Sequence, residues 1–162
     1  GGRGRRRGAF AQYRRLVEQY PDDHGGQIAL AEIGAEAGDW KTAQRYAGEA
    51  LKRSPGDLAL EAIRTAADYA IAAEANDAGA IVESSRRARE LLKELPTSLL
   101  LHRVVIDDLI RAQDHDQALA AIDTALKLAP KDRALYAQRL SCLLYTSPSP
   151  RDRTRSRMPS SA

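Results

Sequence analysis

The stretch AGDWKTAQRYAGEALKRSP, residues 37–55, decides the fold of this chain. Gly38 is suited to the left-handed conformation that ends a helix, and Asp39 is suited to capping the next one. Apolar residues then recur at spacings of three and four, which is typical of one face of a helix: Trp40, Ala43, Tyr46, Ala47, Ala50 and Leu51. Pro55 ends that helix because it has no N–H and restricts the residue before it. These residues predict two helices joined by a tight turn.

The same arrangement recurs along the chain. Four prolines each follow a helix-like run, at Pro21, Pro55, Pro96 and Pro130, and their separations are 34, 41 and 34 residues. A fixed period of this size indicates stacked helical repeats, in which each unit buries its apolar face against its neighbours.

Small residues keep the same positions within each period. If Pro55 is position 32 of a repeat that starts at His24, the small residues at positions 8, 15, 20 and 27 are Ala31, Gly38, Ala43 and Ala50. In a unit that starts at Leu99, positions 20, 27 and 32 are Ala118, Ala125 and Pro130. Ile106 and Gln113 replace the small residue at position 8 and the glycine at position 15. The chain therefore resembles the tetratricopeptide repeat (TPR) family.

This resemblance implies an all-α fold, a right-handed helical-repeat solenoid of antiparallel helix pairs. We expect an array over residues 8–141, made of a partial unit 8–23, a unit 24–57, an extended unit 58–98, a unit 99–132 and a partial unit 133–141. The Trp and Tyr typical of positions 4 and 11 are absent, replaced by Gln27 and Gly34 in one unit and by His102 and Leu109 in the other. Residues 1–7 are expected to be a basic, unstructured start.

The unit 58–98 is seven residues longer than its neighbours. Seven residues are close to two helical turns, so we expect its first helix to protrude by two turns, with a turn near Gly79. A longer loop is the alternative.

Residues 142–162 differ in character from the rest. Codons of a common sequencing-library adapter translate to Cys142–Asp152, and codons of its distal part translate to Ser156–Ala162. The three residues between them leave room for a variable index. The tail therefore resembles a translated adapter, and we expect it to be non-native and disordered. A natural Ser/Pro/Arg-rich tail is the alternative.

Charge and composition argue against several classes of function. Residues 8–141 carry 17 basic and 21 acidic residues, a net charge of −4, whereas a nucleic-acid-binding repeat needs a basic face. We therefore expect no nucleic-acid partner. No segment approaches the roughly 18 apolar residues of a membrane span. One cysteine, Cys142, leaves the redox compartment open.

The sequence also shows no catalytic constellation. His102 and His115 have no metal-ligand spacing, and packing is the preferred interpretation of both. No phosphate-binding loop or nucleophile with a partner base is present. We expect no catalytic residue, no metal, no cofactor and no enzymatic activity from this chain.

The family resemblance implies where a partner would bind. In TPR proteins the first helix of each pair lines a concave face that holds another protein or peptide. Mapped to positions 5, 9, 12 and 13, this face contains Ile28, Glu32, Ala35 and Glu36 in one unit and Arg103, Asp107, Ile110 and Arg111 in the other. The predicted function is a protein–protein interaction scaffold; the alternative is a regulatory or targeting arm of a larger enzyme. Apolar faces left uncapped at both ends are expected to cause self-association.

Overall fold

The computed structural model describes residues 2–146, with side chains from residue 8, and this part of the chain consists of α-helices and the turns between them. The predicted all-α fold is confirmed. The eight helices are α1 Gly2–Gln19, α2 His24–Ala37, α3 Trp40–Arg53, α4 Leu58–Glu74, α5 Ala78–Glu94, α6 Leu99–Arg111, α7 His115–Leu128 and α8 Arg133–Thr146.

The chain forms two compact units, one up to Val104 and one from Val105. In the first unit α1 packs on α2, α2 on α3, α3 on α4 and α4 on α5, and α2 also contacts α4. Small residues of α2 and α3 let the two helices approach closely, and Ala31, Ala43, Ala47 and Ala50 are fully buried beside the larger Leu30. In the second unit α7 packs on α8, and Ala118 and Ala125 are fully buried.

Each repeat is joined to the next by the same proline turn. The backbone N–H two residues after the proline donates to the carbonyl of the residue before it, so that proline occupies the second position of a β-turn. The donors are Asp23, Asp57, Ser98 and Asp132, at 3.1 Å in each turn. The same four residues then cap the following helix, accepting from the backbone N–H three residues later.

The turns inside the helix pairs use a left-handed residue. Gly38 has φ 74°, Asn76 has φ 53° and Gln113 has φ 60°. The turn predicted near Gly79 lies at residues 75–77, and Gly79 itself is the second residue of α5. Asp77 sets the start of that helix by accepting from the N–H of Ala80, and Asn76 tolerates the left-handed conformation better than most residues.

Of the seven extra residues of the unit 58–98, three lie in each of its helices and one lengthens the turn between them. Helices α4 and α5 have 17 residues each, whereas α2, α3 and α7 have 14. The prediction that the first helix alone protrudes by two turns is therefore wrong. A lone extension of α4 would leave its apolar end uncovered; instead both helices lengthen together and bury Ala72 and Ala73.

Both ends of the described chain are more helical than expected. Helix α1 begins at Gly2, inside the segment 1–7 that was expected to be unstructured, so that expectation is wrong. Helix α8 continues to Thr146, and Cys142 is buried. The segment 142–146 is largely apolar and free of proline, so it can prolong a helix whatever its origin. The remainder of the tail, 147–162, lies outside the described residues.

Candidate binding surface on the first helices

The α2 part of the predicted surface combines apolar and acidic side chains. Ile28 and Ala35 are half-buried and pack against the core cluster, while Glu32 and Glu36 are exposed one helical turn apart. Within the described residues neither carboxylate forms a salt bridge. This face of α2 therefore offers an apolar strip beside two negative charges.

The α6 part carries charges of both signs. Arg103 and Arg111 are exposed, and Asp107 and Ile110 are half-buried. The Nε of Arg111 donates to Oδ2 of Asp107 at 2.8 Å, one turn earlier on the helix. The structure places Arg103 in the same unit as the α2 residues and places the other three α6 residues, Asp107, Ile110 and Arg111, in the second unit.

Helix α4 lies between α2 and α6 in the sequence, and its side chains at the corresponding positions are small and buried. Ala62 and Ala66, at positions 5 and 9 of the extended unit, are 4% and 2% exposed. These positions therefore offer only small, closed surface.

A polar network that the repeat pattern did not reveal joins three helices of the first unit. Arg87 of α5 binds Glu61 of α4 at 2.9 Å and approaches Asp68 of α4 at 3.7 Å. Gln44 of α3 donates to the other oxygen of Asp68 at 2.7 Å. These side chains are committed to holding one helix pair on the next. The sequence signal was the seven-residue spacing of two acids on α4, which places both on one face.

The residue six positions after the proline forms a second recurring contact. Gln27, His102 and Tyr136 each bond through a side chain to the carbonyl of Pro21, Pro96 and Pro130, at 2.6, 2.8 and 2.9 Å. All three stand at position 4, where a TPR typically has Trp. The sequence indicated this contact, because a side chain that can form a hydrogen bond stands six positions after each of these three prolines. Glu61 takes this position in the extended unit and binds Arg87 instead.

The histidines have packing and turn-binding roles. The ring of His115 stacks on that of Tyr145, with centroids 4.8 Å apart and planes 8° from parallel. His102 bonds the carbonyl of Pro96. No group of three or more His, Cys, Asp or Glu side chains that could hold a metal occurs among the side chains described. Burial raises the pKa of the Cys142 thiol, which disfavours the reactive thiolate.

None of the helices described combines the length and the apolarity needed to cross a bilayer. No protein-family model matches the chain, and no curated protein matches it. Among solved structures the chain is similar to a thermophilic TPR protein from Thermus thermophilus. The two share 19% sequence identity and superpose with a TM-score of 0.66, over 90% of this chain and 77% of that one. This likeness establishes a TPR-like helical-repeat fold.

Proposed function

We propose that this TPR-like chain is a protein-interaction scaffold that holds a protein or peptide partner on its first helices. The observation that carries the proposal is the contrast between the acids of α2 and those of α4, the next first helix along the chain. Glu32 and Glu36 of α2 are exposed and form no salt bridge within the described residues, whereas Glu61, Asp68 and Arg87 are paired across α4 and α5. Unpaired charges beside half-buried apolar side chains are suited to contacting a partner.

The predicted contact residues are Ile28, Glu32 and Glu36 on α2 and Arg103, Asp107, Ile110 and Arg111 on α6. Ile28 and Ile110 would supply apolar contact, and the charged residues would select the partner. A chain with negative charges on α2 disfavours acidic partners there, because like charges brought together cost free energy. The α2 face therefore favours a segment with basic and apolar residues.

A displayed peptide library tests the proposal without knowledge of the natural partner. Peptides would be selected on the intact chain, and their affinity would then be measured for two variants. Each variant reverses the charge of two exposed glutamates that are four residues apart. Glu32→Lys with Glu36→Lys changes a first helix, and Glu90→Lys with Glu94→Lys changes a second helix, α5. The charge change and the spacing are equal in the two variants. The second variant also removes the exposed ion pair between Glu90 and Lys93, 3.3 Å apart, and circular dichroism checks that both variants fold.

We expect the selected peptides to be basic and to lose at least about tenfold in affinity for the α2 variant, which corresponds to about 1.4 kcal/mol. The α5 variant should bind them as the unchanged chain does. Peptides that bind both variants equally, or that lose affinity only for the α5 variant, would place the binding surface elsewhere and contradict the proposal.

A further inference from the structure

Helix α3 is basic, although the helix it pairs with, α2, is acidic. It contains four basic residues and one acid, whereas α2 contains two acids and neither Lys nor Arg. Three of the cations, Lys41, Arg45 and Lys52, are exposed, and their spacings of four and seven residues place them along one side of the helix. Gly48 stands between Arg45 and Lys52 on the same side. We call these four residues the α3 face.

The charges of the α3 face are less neutralised than those of α5. At the same repeat positions, 22 and 29, α5 has Arg86 and Lys93, and each pairs with the acid three residues before it, at 2.7 and 3.3 Å. In the part of the chain that the structure describes, Lys52 has such a pair at 3.0 Å, but Lys41 and Arg45 form no salt bridge. The α3 face therefore keeps positive charge that α5 neutralises within its own helix.

Two residues of the α3 face disfavour the helix that contains them. Gly48 lies in the middle of α3, where glycine is less favourable than alanine, and a Cβ there would meet nothing within 4 Å. Gly34 of α2 differs, because a Cβ there would stand 3.0 Å from the backbone N of Ala43. Lys41 lies in the first turn of α3, where a positive charge opposes the helix dipole. Packing and helix stability therefore explain Gly34 but neither residue of the α3 face.

The glycine leaves a notch in the exposed surface of α3. Position 25 of the other second helices has a charged and exposed side chain: Arg14, Arg89 or Asp123. In α3 the same position has no side chain, and cations stand on either side of it. Arg45 is positioned beside the notch, since its guanidinium lies 5.1 Å from the centre of the Tyr46 ring. A second backbone can approach closely at a glycine, and carboxylates beside that backbone would meet Arg45 and Lys52.

We propose that the α3 face binds an acidic helix of a partner protein, which crosses α3 at Gly48. This partner is distinct from the one proposed for the first helices, because it takes the opposite charge and contacts a second helix. Charge complementarity favours an acidic partner. A nucleic acid is disfavoured, because its continuous negative charge would also meet the acidic helices α2 and α4, which pack on α3.

A library of acidic helices tests the proposal. The probe is a small folded helical domain, displayed with one exposed helix face varied among Asp, Glu, Ser, Ala and Leu. Binders selected on the intact chain would be measured on Arg45→Glu with Lys52→Glu, and on Arg86→Glu with Lys93→Glu. The second variant is the control, since it changes the same repeat positions of α5 by the same charge. Both variants break exposed ion pairs, so circular dichroism checks that they fold.

We expect the binders to lose at least about tenfold in affinity for the α3 variant and to bind the α5 variant as they bind the unchanged chain. Added salt should weaken binding to the unchanged chain, because it screens exposed charges. Failure to select any binder, or equal losses for the two variants, would overturn the proposal. So would a chain that binds a short DNA duplex or phosphatidylserine vesicles through the α3 face but selects no acidic helix.

Gly48→Gln separates close approach from charge. Glutamine favours helix more than glycine does, and the added side chain enters open space, so the melting temperature should rise. The same side chain fills the notch, so affinity for the selected binders should fall at least about tenfold. A more stable chain that binds less well is the expected result. A lower melting temperature would show that the fold itself needs Gly48, and unchanged affinity would show that no backbone approaches there; either result contradicts the proposal.

Discussion

At the scale of single residues, Gly38 and Gln113 can be compared, because both stand at position 15 of a repeat and both have a left-handed backbone. Gly38 has φ 74° with open space where a Cβ would stand, and Gln113 has φ 60° at the equivalent turn. A left-handed conformation costs a residue with a Cβ roughly 1–2 kcal/mol, which glycine avoids. The two sites should therefore respond in opposite directions to exchange of glycine.

We expect Gly38→Ala to lower the free energy of unfolding by about 1 kcal/mol. Gln113→Gly should raise it by less, because relief of strain is offset by about 0.4–1 kcal/mol of added entropy in the unfolded chain. Urea denaturation measures both. The same sign for both substitutions would show that backbone strain does not govern these turns.

At the scale of elements, the α2–α3 pair depends on close approach of two backbones. A Cβ on Gly34 would stand 3.0 Å from the backbone N of Ala43 and 3.2 Å from the carbonyl oxygen of Asp39. This contact explains why Gly34 stands where a TPR typically has Tyr. Neither α2 nor α3 has room for a large side chain at this contact.

Ala43→Leu should therefore overpack the pair and cost about 1–3 kcal/mol. Thermal unfolding followed by circular dichroism checks this. The exposed position Ala120 on α7 is a suitable control, since Ala120→Leu adds the same volume at the surface and should change stability by less than about 0.5 kcal/mol. Equal effects at both positions would contradict close packing at Ala43.

The element scale also shows what sequence could and could not predict. Prolines and capping residues fix helix ends locally, so the helices around Gly38, Pro55 and Pro130 follow from the sequence. The division of the seven extra residues among α4, α5 and the turn between them does not, because it depends on which apolar residues of one helix the other can cover. Likewise the Glu61–Arg87 contact joins residues 26 apart, and no local pattern specifies which acid that arginine selects. For the candidate surface, the register indicated Glu32 and Glu36 on α2, but it could not show that Ala62 and Ala66 are closed off.

At the scale of the whole molecule, stability should be greatest in the middle of the first unit. Helices α3 and α4 each pack on neighbours before and after them, whereas α1 exposes Leu16 and α8 exposes Leu140. Repeat stability is a sum of unit and nearest-neighbour terms, so the uncovered ends should open first. Native-state hydrogen exchange should find the most protected amides between Leu30 and Leu92. A maximum in α1 or α8 would contradict this account of the array.

The origin of the tail is a separate question at the same scale. If residues 142–162 are a translated adapter, source DNA amplified independently should continue differently after Ser141. Identical codons in that DNA would instead show that the tail is natural.

The central claim is that first helices hold the partner and second helices do not. Hydrogen exchange of the chain with and without a selected peptide tests it most directly, because each helix is read separately in one experiment. We predict that binding adds protection in α2 and α6 and leaves α3, α5 and α7 unchanged. Added protection in the second helices, with α2 and α6 unchanged, would contradict the claim.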